Sequence, residues 1–151
     1  MRTVKDIINS KPIAFNSIAP NALVIEGLQL LNSVNLSYLA VMDGETYKGV
    51  FSERDYTRNV ILKGRSSKET TVQEVMTTDL PKVELTDTVE HCMNLMNSHR
   101  TRYLLAFNID RFAGVITIHD LLRQVIASKE EVFDHSITTR LIDNDESGRI
   151  Y

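Results

Sequence analysis

The chain has 151 residues, of which 42% are apolar and 25% are charged, a composition that predicts a globular protein and excludes a chain that is disordered as a whole. Its net charge of −3 at pH 7 argues against a general attraction to nucleic acid or to anionic membranes. The longest apolar run, residues 38–42, is far shorter than the roughly 18 residues of a membrane helix. Residues 1–10 mix charges without a signal-peptide core, so we expect a cytoplasmic protein.

The predicted elements of the first half begin with a short helix and a short strand. An amphipathic helix follows, opening at Pro20 and Asn21, and one of its faces is apolar: Leu23, Gly27, Leu30, Leu31 and Val34. Residues 38–42 and 47–51 are rich in β-forming residues, and Asp43-Gly44 supplies the turn between them. The first half therefore contains a β-hairpin before its last helix.

The second half repeats this order after a polar linker at residues 63–68. Thr70 and Thr71 are expected to cap a helix at residues 72–76. Asp87 with Glu90 predicts a capping box for the next helix, whose apolar face contains Val89, Cys92, Met93 and Met96. A second hairpin is predicted at residues 103–107 and 112–116, and a helix with a loose tail after Ser128.

A single offset of 65 residues relates the two halves. The stretch from Gly49 to Asp55 and the stretch from Gly114 to Asp120 both read glycine, two apolar residues, a hydroxyl residue, two variable positions and an acid. This recurrence indicates a duplicated module, with repeats at residues 1–66 and 67–127 and a tail at 128–151. We predict an α+β fold in which two β-α-β-β-α repeats pack through their sheets with pseudo-two-fold symmetry.

The repeated motif fits two kinds of role. Ser52 and Thr117 each end a strand and begin a helix, where a hydroxyl and the first helical N–H groups can hold an anion. Asp55 and Asp120, three residues later, could accept hydrogen bonds from the vicinal diol of a ribose, so the two features together describe a nucleotide site. The alternative is a helix cap alone, which a single copy would favour. Repetition favours a ligand.

The duplicated motif in this setting resembles a tandem pair of CBS domains, a Bateman module, over residues 3–127. Residues 52–58 with residues 63–67 are especially similar to small stand-alone CBS-pair proteins of bacteria and plant organelles. The resemblance implies a non-catalytic regulator that binds an adenosine ligand such as AMP, ADP, ATP, NAD or S-adenosylmethionine in clefts between the repeats. It also implies a homodimer that modulates an unidentified partner protein.

The resemblance also assigns roles to individual positions. Asp55 and Asp120 would hold ribose hydroxyls, and Ser52 and Thr117 would contact phosphate, which Arg54 and His119 would flank. The base and phosphate would be bordered by the first strand of each repeat: Asn16, Ser17 and Ile18, and Pro81, Lys82 and Val83. The cleft lining would consist of Tyr38, Leu39, Phe51, Arg102, Tyr103, Leu104 and Ile116.

Three other classes of function compete with this interpretation. A docking module with vestigial nucleotide clefts is the strongest, although it need not keep both Asp55 and Asp120. An enzyme is disfavoured because the histidines and Cys92 form no nucleophile–base pair and no zinc-binding motif, so we expect neither catalytic residues nor a metal. Cys92 is expected in the core. Nucleic-acid binding is disfavoured because residues 63–68 form only a thin basic cluster.

Overall fold

The structure is a computed structural model that describes residues 2–127. The predicted C-terminal helix and tail lie outside the described residues. Residues 2–127 contain six strands, β1 to β6: Ser17–Ile18, Tyr38–Asp43, Thr46–Ser52, Lys82–Glu84, Tyr103–Asn108 and Arg111–Thr117. Six α-helices, α1 to α6, accompany them: Val4–Ser10, Val24–Val34, Glu53–Asp55, Val72–Val75, Val89–His99 and Ile118–Ala127. A π-helix, Tyr56–Ile61, directly follows α3.

The described chain forms two compact units whose boundaries differ from those of the sequence repeats. The first unit is Phe15–Asp79, and the second joins the residues up to Ala14 to those from Leu80 onward. Helix α1 therefore belongs to the second unit, and helix α4 belongs to the first. Backbone hydrogen bonds fix both helices, for example from Val4 N to Asp87 O at 2.9 Å in the second unit. The repeat boundary near residue 66 remains a prediction about sequence recurrence.

The first unit is built on a three-stranded sheet in the order β1-β2-β3. Strand β1 runs parallel to β2, and β2 and β3 form the predicted antiparallel hairpin. Helix α2, the π-helix and α4 contribute apolar side chains to one core, whose buried members are Val24, Leu31, Leu39, Val41, Phe51, Val60, Val72 and Val75. The predicted α+β class is confirmed in this unit.

The second unit repeats the same sheet in the order β4-β5-β6, with β4 parallel to β5 and an antiparallel hairpin of β5 and β6. Its core joins side chains of α1, α5 and α6 to the sheet. Cys92 is fully buried there, as predicted, and burial raises the pKa of its thiol to about 12. The thiol therefore stays protonated at neutral pH and contributes as a small apolar core group.

Two of the predicted helix starts are wrong. Helix α2 begins at Val24 with Leu23 as its N-cap, because the Pro20 and Ala22 carbonyls instead accept hydrogen bonds from the first residues of α4. Helix α5 is capped by Thr88, whose Oγ1 accepts the His91 N–H at 3.1 Å. Asp87 instead accepts the Glu84 N–H at 2.8 Å, so it closes the preceding turn. Among residues 2–127, none of the helices has the length and the apolar composition that a membrane-spanning segment needs.

The leading glycine of each motif lies where another segment crosses the strand. A Cβ atom at Gly49 would stand 2.9 Å from the Thr77 carbonyl oxygen, and Val50 and Thr77 exchange two backbone hydrogen bonds of 2.9 Å there. A Cβ atom at Gly114 would likewise stand 3.0 Å from the Ala14 carbonyl oxygen. The segment at Thr77 follows α4, and the segment at Ala14 follows α1. Each of these helices belongs to one sequence repeat but packs in the unit formed mainly by the other repeat. The absence of a side chain at the motif glycine therefore allows the crossing segment to pack closely against the strand.

Substituting Gly49→Ala is expected to lower the free energy of unfolding by about 2 to 3 kcal/mol, because the new methyl group displaces the Thr77 backbone. Equilibrium denaturation in urea measures this loss. Gly44→Ala is the control, since φ is +62° there and nothing lies within 4 Å, so only conformational strain of about 1 kcal/mol is expected. Equal losses in the two variants would contradict the crossing argument.

Candidate functional site

The motif of the first unit forms a reciprocal helix cap. Strand β3 ends at Ser52 and helix α3 begins at Glu53, so the hydroxyl and the first helical N–H groups meet as predicted. The Ser52 N–H donates to Asp55 Oδ2 at 2.9 Å, and the Asp55 N–H donates to Ser52 Oγ at 3.3 Å. The Ser52 hydroxyl also donates to Asp55 Oδ2 at 3.0 Å. The capping role that the sequence left open is therefore present.

The second oxygen of Asp55 is bound by a residue distant in sequence. The Thr77 hydroxyl, in the segment after α4, donates to Asp55 Oδ1 at 2.7 Å. Only 4% of Asp55 is exposed. Burial raises the pKa of this carboxyl above its ordinary value of 3.8, although the Thr77 and Ser52 hydrogen bonds and the charge of Arg54 oppose the shift. Asp55 is a buried carboxylate that accepts hydrogen bonds from the neutral Ser52 and Thr77 groups.

Stability should depend on pH through Asp55. Because its folded pKa is raised, the folded state binds more protons than the unfolded state between pH 3.8 and the folded pKa, so stability falls as pH rises through that window. Asp55→Asn removes this dependence while its amide can still accept from Ser52 and donate to Thr77. Urea denaturation between pH 4 and 7 should show the variant gaining stability relative to the parent as pH rises. A variant that instead loses stability relative to the parent as pH rises would contradict this assignment.

The motif of the second unit has the same cap but different partners. The Thr117 N–H donates to Asp120 Oδ2 at 2.9 Å, and the Asp120 N–H donates to Thr117 Oγ1 at 3.2 Å. Lys11 Nζ, in the segment after α1, donates to Asp120 Oδ2 at 3.0 Å and to the Val115 carbonyl at 2.9 Å. Arg123 forms an ion pair with Asp120 Oδ1. The 3%-exposed Asp120 is therefore bound by two cations.

The basic residues predicted to flank the phosphate lie beside the motif helices. The Arg102 guanidinium is 3.3 Å from His119 Nε2, at the start of α6, and His119 is exposed. An arginine N–H can only donate, so in a hydrogen bond between these groups His119 Nε2 is the acceptor. Arg54 occupies the position of His119 in the first unit and is half-buried. Both sites therefore place a basic side chain next to the capping residues.

The residues predicted in the first strand of each repeat are held mainly by hydrogen bonds of their backbone carbonyls. The Asn16 carbonyl accepts from Ala40 N at 2.8 Å, and the Pro81 carbonyl accepts from Leu105 N at 2.9 Å. Ile18 and Val83 pack toward their cores, whereas the Ser17 and Lys82 side chains are exposed. Lys82 Nζ lies 4.9 Å from the centre of the Phe107 ring, at the edge of a cavity of about 350 Å³. That these residues border the base and phosphate of a bound nucleotide stays a prediction.

The residues predicted to line the cleft are mostly core side chains. Leu39 and Phe51 are fully buried in the first core, and Leu104 and Ile116 in the second. Tyr38 and Tyr103 are 5% and 6% exposed at the starts of β2 and β5. Their side chains stabilise the units in this conformation, so a contact with ligand stays a prediction for each of them.

Sequence reasoning missed three residues that contact the motif acids: Lys11, Thr77 and Arg123. Lys11 and Thr77 lie 109 and 22 residues from their partners, and no local pattern connects them. Arg123 is three residues after Asp120 on a helix, a spacing that favours ion pairs and could have indicated the contact.

This combination of fold and motif defines a class of protein. Two three-stranded sheets, each with a strand-to-helix junction of glycine, hydroxyl residue and acid, are the architecture expected of paired CBS repeats. Residues 4–61 and 72–127 each match the CBS domain. The chain belongs to the CBS-domain family and carries two of these domains in tandem.

Known proteins resemble the chain over most of its length. The structure of a proposed signal-transduction protein with CBS domains from Burkholderia ambifaria MC40-6 is 36% identical, has a TM-score of 0.77, and the match covers 85% of this chain and 96% of that one. The mitochondrial CBS domain-containing protein CBSX3 of Arabidopsis thaliana is 26% identical over 138 residues, which are 85% of this chain and 67% of that protein. The structure of CBSX2 in complex with AMP shares the fold, with 22% identity, a TM-score of 0.69, and coverage of 86% of this chain and 100% of that one.

Proposed function

We propose that this CBS pair is a regulatory module that binds an adenosine nucleotide, AMP, ADP, ATP or an NAD-type ligand, and modulates a partner protein without catalysis. The observation that carries the proposal is the duplicated junction itself. In each unit a hydroxyl residue and a carboxylate meet at the point where a strand passes into a helix. The AMP complex of CBSX2 supports the class of ligand by analogy. The proposal also includes that the protein is a homodimer and that it is located in the cytoplasm.

Binding at these junctions requires a local opening. Both motif carboxylates are almost fully buried, so a ribose hydroxyl reaches them only when a neighbour moves. At Asp55 the movable neighbour is the Thr77 hydroxyl, and at Asp120 it is the exposed Arg123. Thr77 lies in the segment after a helix contributed by the other repeat. A ligand at Asp55 would therefore bind more tightly to the conformation in which that segment has moved away. Such a difference in affinity between two conformations is what regulation by a ligand requires.

The second candidate is a docking module with vestigial clefts, and one observation favours it. Asp55 and Asp120 both complete helix caps. Their retention, which the sequence analysis takes as an argument for a ligand, is therefore also explained by a structural role. A direct ligand measurement must decide between the two candidates.

An NMR titration with AMP separates these candidates. We expect the backbone amide signals of Ser52, Asp55, Thr117 and Asp120 to shift as AMP is added, because the ligand replaces or shares their hydrogen bonds. The amides of the β2–β3 turn, Gly44 and Glu45, serve as internal controls at the other end of the first hairpin. The docking module predicts that no motif signal shifts, and that result would overturn the proposed function for AMP.

A further inference from the structure

The two motif acids differ in the charges around them. At positions that correspond by the offset of 65 residues, the second unit has Arg102 where the first has Ser37. The segment that crosses the motif strand contributes a neutral hydroxyl, Thr77, in the first unit and an ammonium group, Lys11, in the second. Asp120 is thus bound by two cations, whereas Asp55 accepts hydrogen bonds from the neutral Ser52 and Thr77 groups.

The cations at Asp120 retain donors for a further anion. Lys11 has three N–H groups, and two acceptors lie within hydrogen-bond distance of Nζ among the described residues, Val115 O and Asp120 Oδ2. Arg123 has five N–H groups, contacts Asp120 Oδ1 through one nitrogen, and its side chain is 67% exposed. The two cations bind the two oxygens of one carboxylate, so both lie next to Asp120.

The carboxylate positions these cations without cancelling them. One negative charge on Asp120 faces the two positive charges of Lys11 and Arg123. Lysine and arginine are the residues that bind phosphate groups, arginine with its planar fork and lysine as a point charge. The Lys11 side chain is only 13% exposed. Water therefore competes less for its remaining N–H donor than it would at a fully exposed lysine.

We infer that Lys11, which Asp120 holds in place, and the exposed Arg123 form an anion site in the second unit that binds the phosphate chain of the ligand, and that Lys11 determines its preference for phosphorylated ligands. The inference rests on the proposed function for the nucleoside part of the ligand. The phosphate site itself can be tested without adenosine. The first unit has a hydroxyl in place of the Lys11 ammonium, so the two motifs are expected to differ in their response to the number of phosphates.

The test uses inorganic tripolyphosphate, adenosine and ATP as separate probes in isothermal titration calorimetry of the full chain. Lys11→Gln and Arg123→Gln each remove one positive charge from the site. Arg58→Gln is the matched control, because Arg58 corresponds to Arg123 by the repeat offset and the change in net charge is the same. We expect tripolyphosphate affinity to fall roughly tenfold in the two site variants and to stay unchanged in the control.

The outcomes separate this inference from the proposed function. Absence of tripolyphosphate binding, or equal affinities in all variants, overturns the anion site even when adenosine binds. Tripolyphosphate binding that depends on Lys11 and Arg123, with no binding of ATP or adenosine, supports the anion site and rejects the adenosine function. Arg123 is largely exposed, so Arg123→Gln keeps the test decisive even if Lys11→Gln impairs folding.

Discussion

Phe51→Ala is expected to lower the free energy of unfolding by about 3 to 5 kcal/mol, one of the two largest effects that we predict. The Phe51 ring is fully buried in the core of the first unit. Its edge faces Gly27 on α2, where an added Cβ atom would stand 2.9 Å from the ring. Since glycine has no side chain to move into the vacated space, the cavity stays open and the loss is large.

The same contact provides a compensation test. Gly27→Ala alone should destabilise the protein by about 1 to 3 kcal/mol, because its methyl group overlaps the Phe51 ring. In the Phe51→Ala background the same methyl group enters the cavity, so the cost should vanish or change sign. Urea denaturation of the parent, both single variants and the double variant completes the cycle. Additive losses would show that Gly27 and Phe51 are not packed as described, and Phe51→Leu offers a milder variant if Phe51→Ala does not fold.

Lys11→Met is expected to cost about 2 to 3 kcal/mol, because it leaves the buried Asp120 carboxylate with one of its two cationic partners. Methionine keeps the unbranched shape of the side chain, so the loss reports mainly on the charge and its hydrogen bonds. Arg123→Met is the control, since its side chain is 67% exposed and an exposed ion pair contributes less than about 1 kcal/mol.

A double-variant cycle assigns the Lys11 loss to its partner. Asp120→Asn removes the charge that Lys11 neutralises, so Lys11→Met should cost less in that background than in the parent. Denaturation by guanidinium would screen this ion pair, so urea is the appropriate denaturant. An unchanged cost of Lys11→Met in the Asp120→Asn background would show that Lys11 acts through packing or through the Val115 carbonyl alone.

The local elements could be predicted because their signals are local. Both hairpins follow from alternating β-forming residues on either side of a turn, and the structure extends them by about a residue at their ends. The junctions at Ser52 and Thr117 follow from the repeated motif. The start of α5 was misplaced by one residue because Asp87 and Thr88 are both favoured cap residues, and only their partners in space distinguish them.

The exchange of the leading helices could not be predicted from the repeats. The buried face of α1, Val4 and Ile7, is short and apolar, and such a face fits either core equally well. The contact of Lys11 with Asp120 depends on that exchange, because it brings the segment after α1 onto β6. The chemical difference between the two motifs was therefore hidden in the sequence, although both motifs were recognised.

The most direct measurement of the central claim is isothermal titration calorimetry with AMP, ATP, NAD and S-adenosylmethionine. The chain and its Asp55→Asn, Asp120→Asn double variant would be compared after circular dichroism shows that both are folded. The account predicts micromolar binding of at least one of these ligands by the parent chain and a clear loss of affinity in the double variant. Absence of heat with all four ligands, or an affinity that the double variant retains, would contradict an adenosine-binding function.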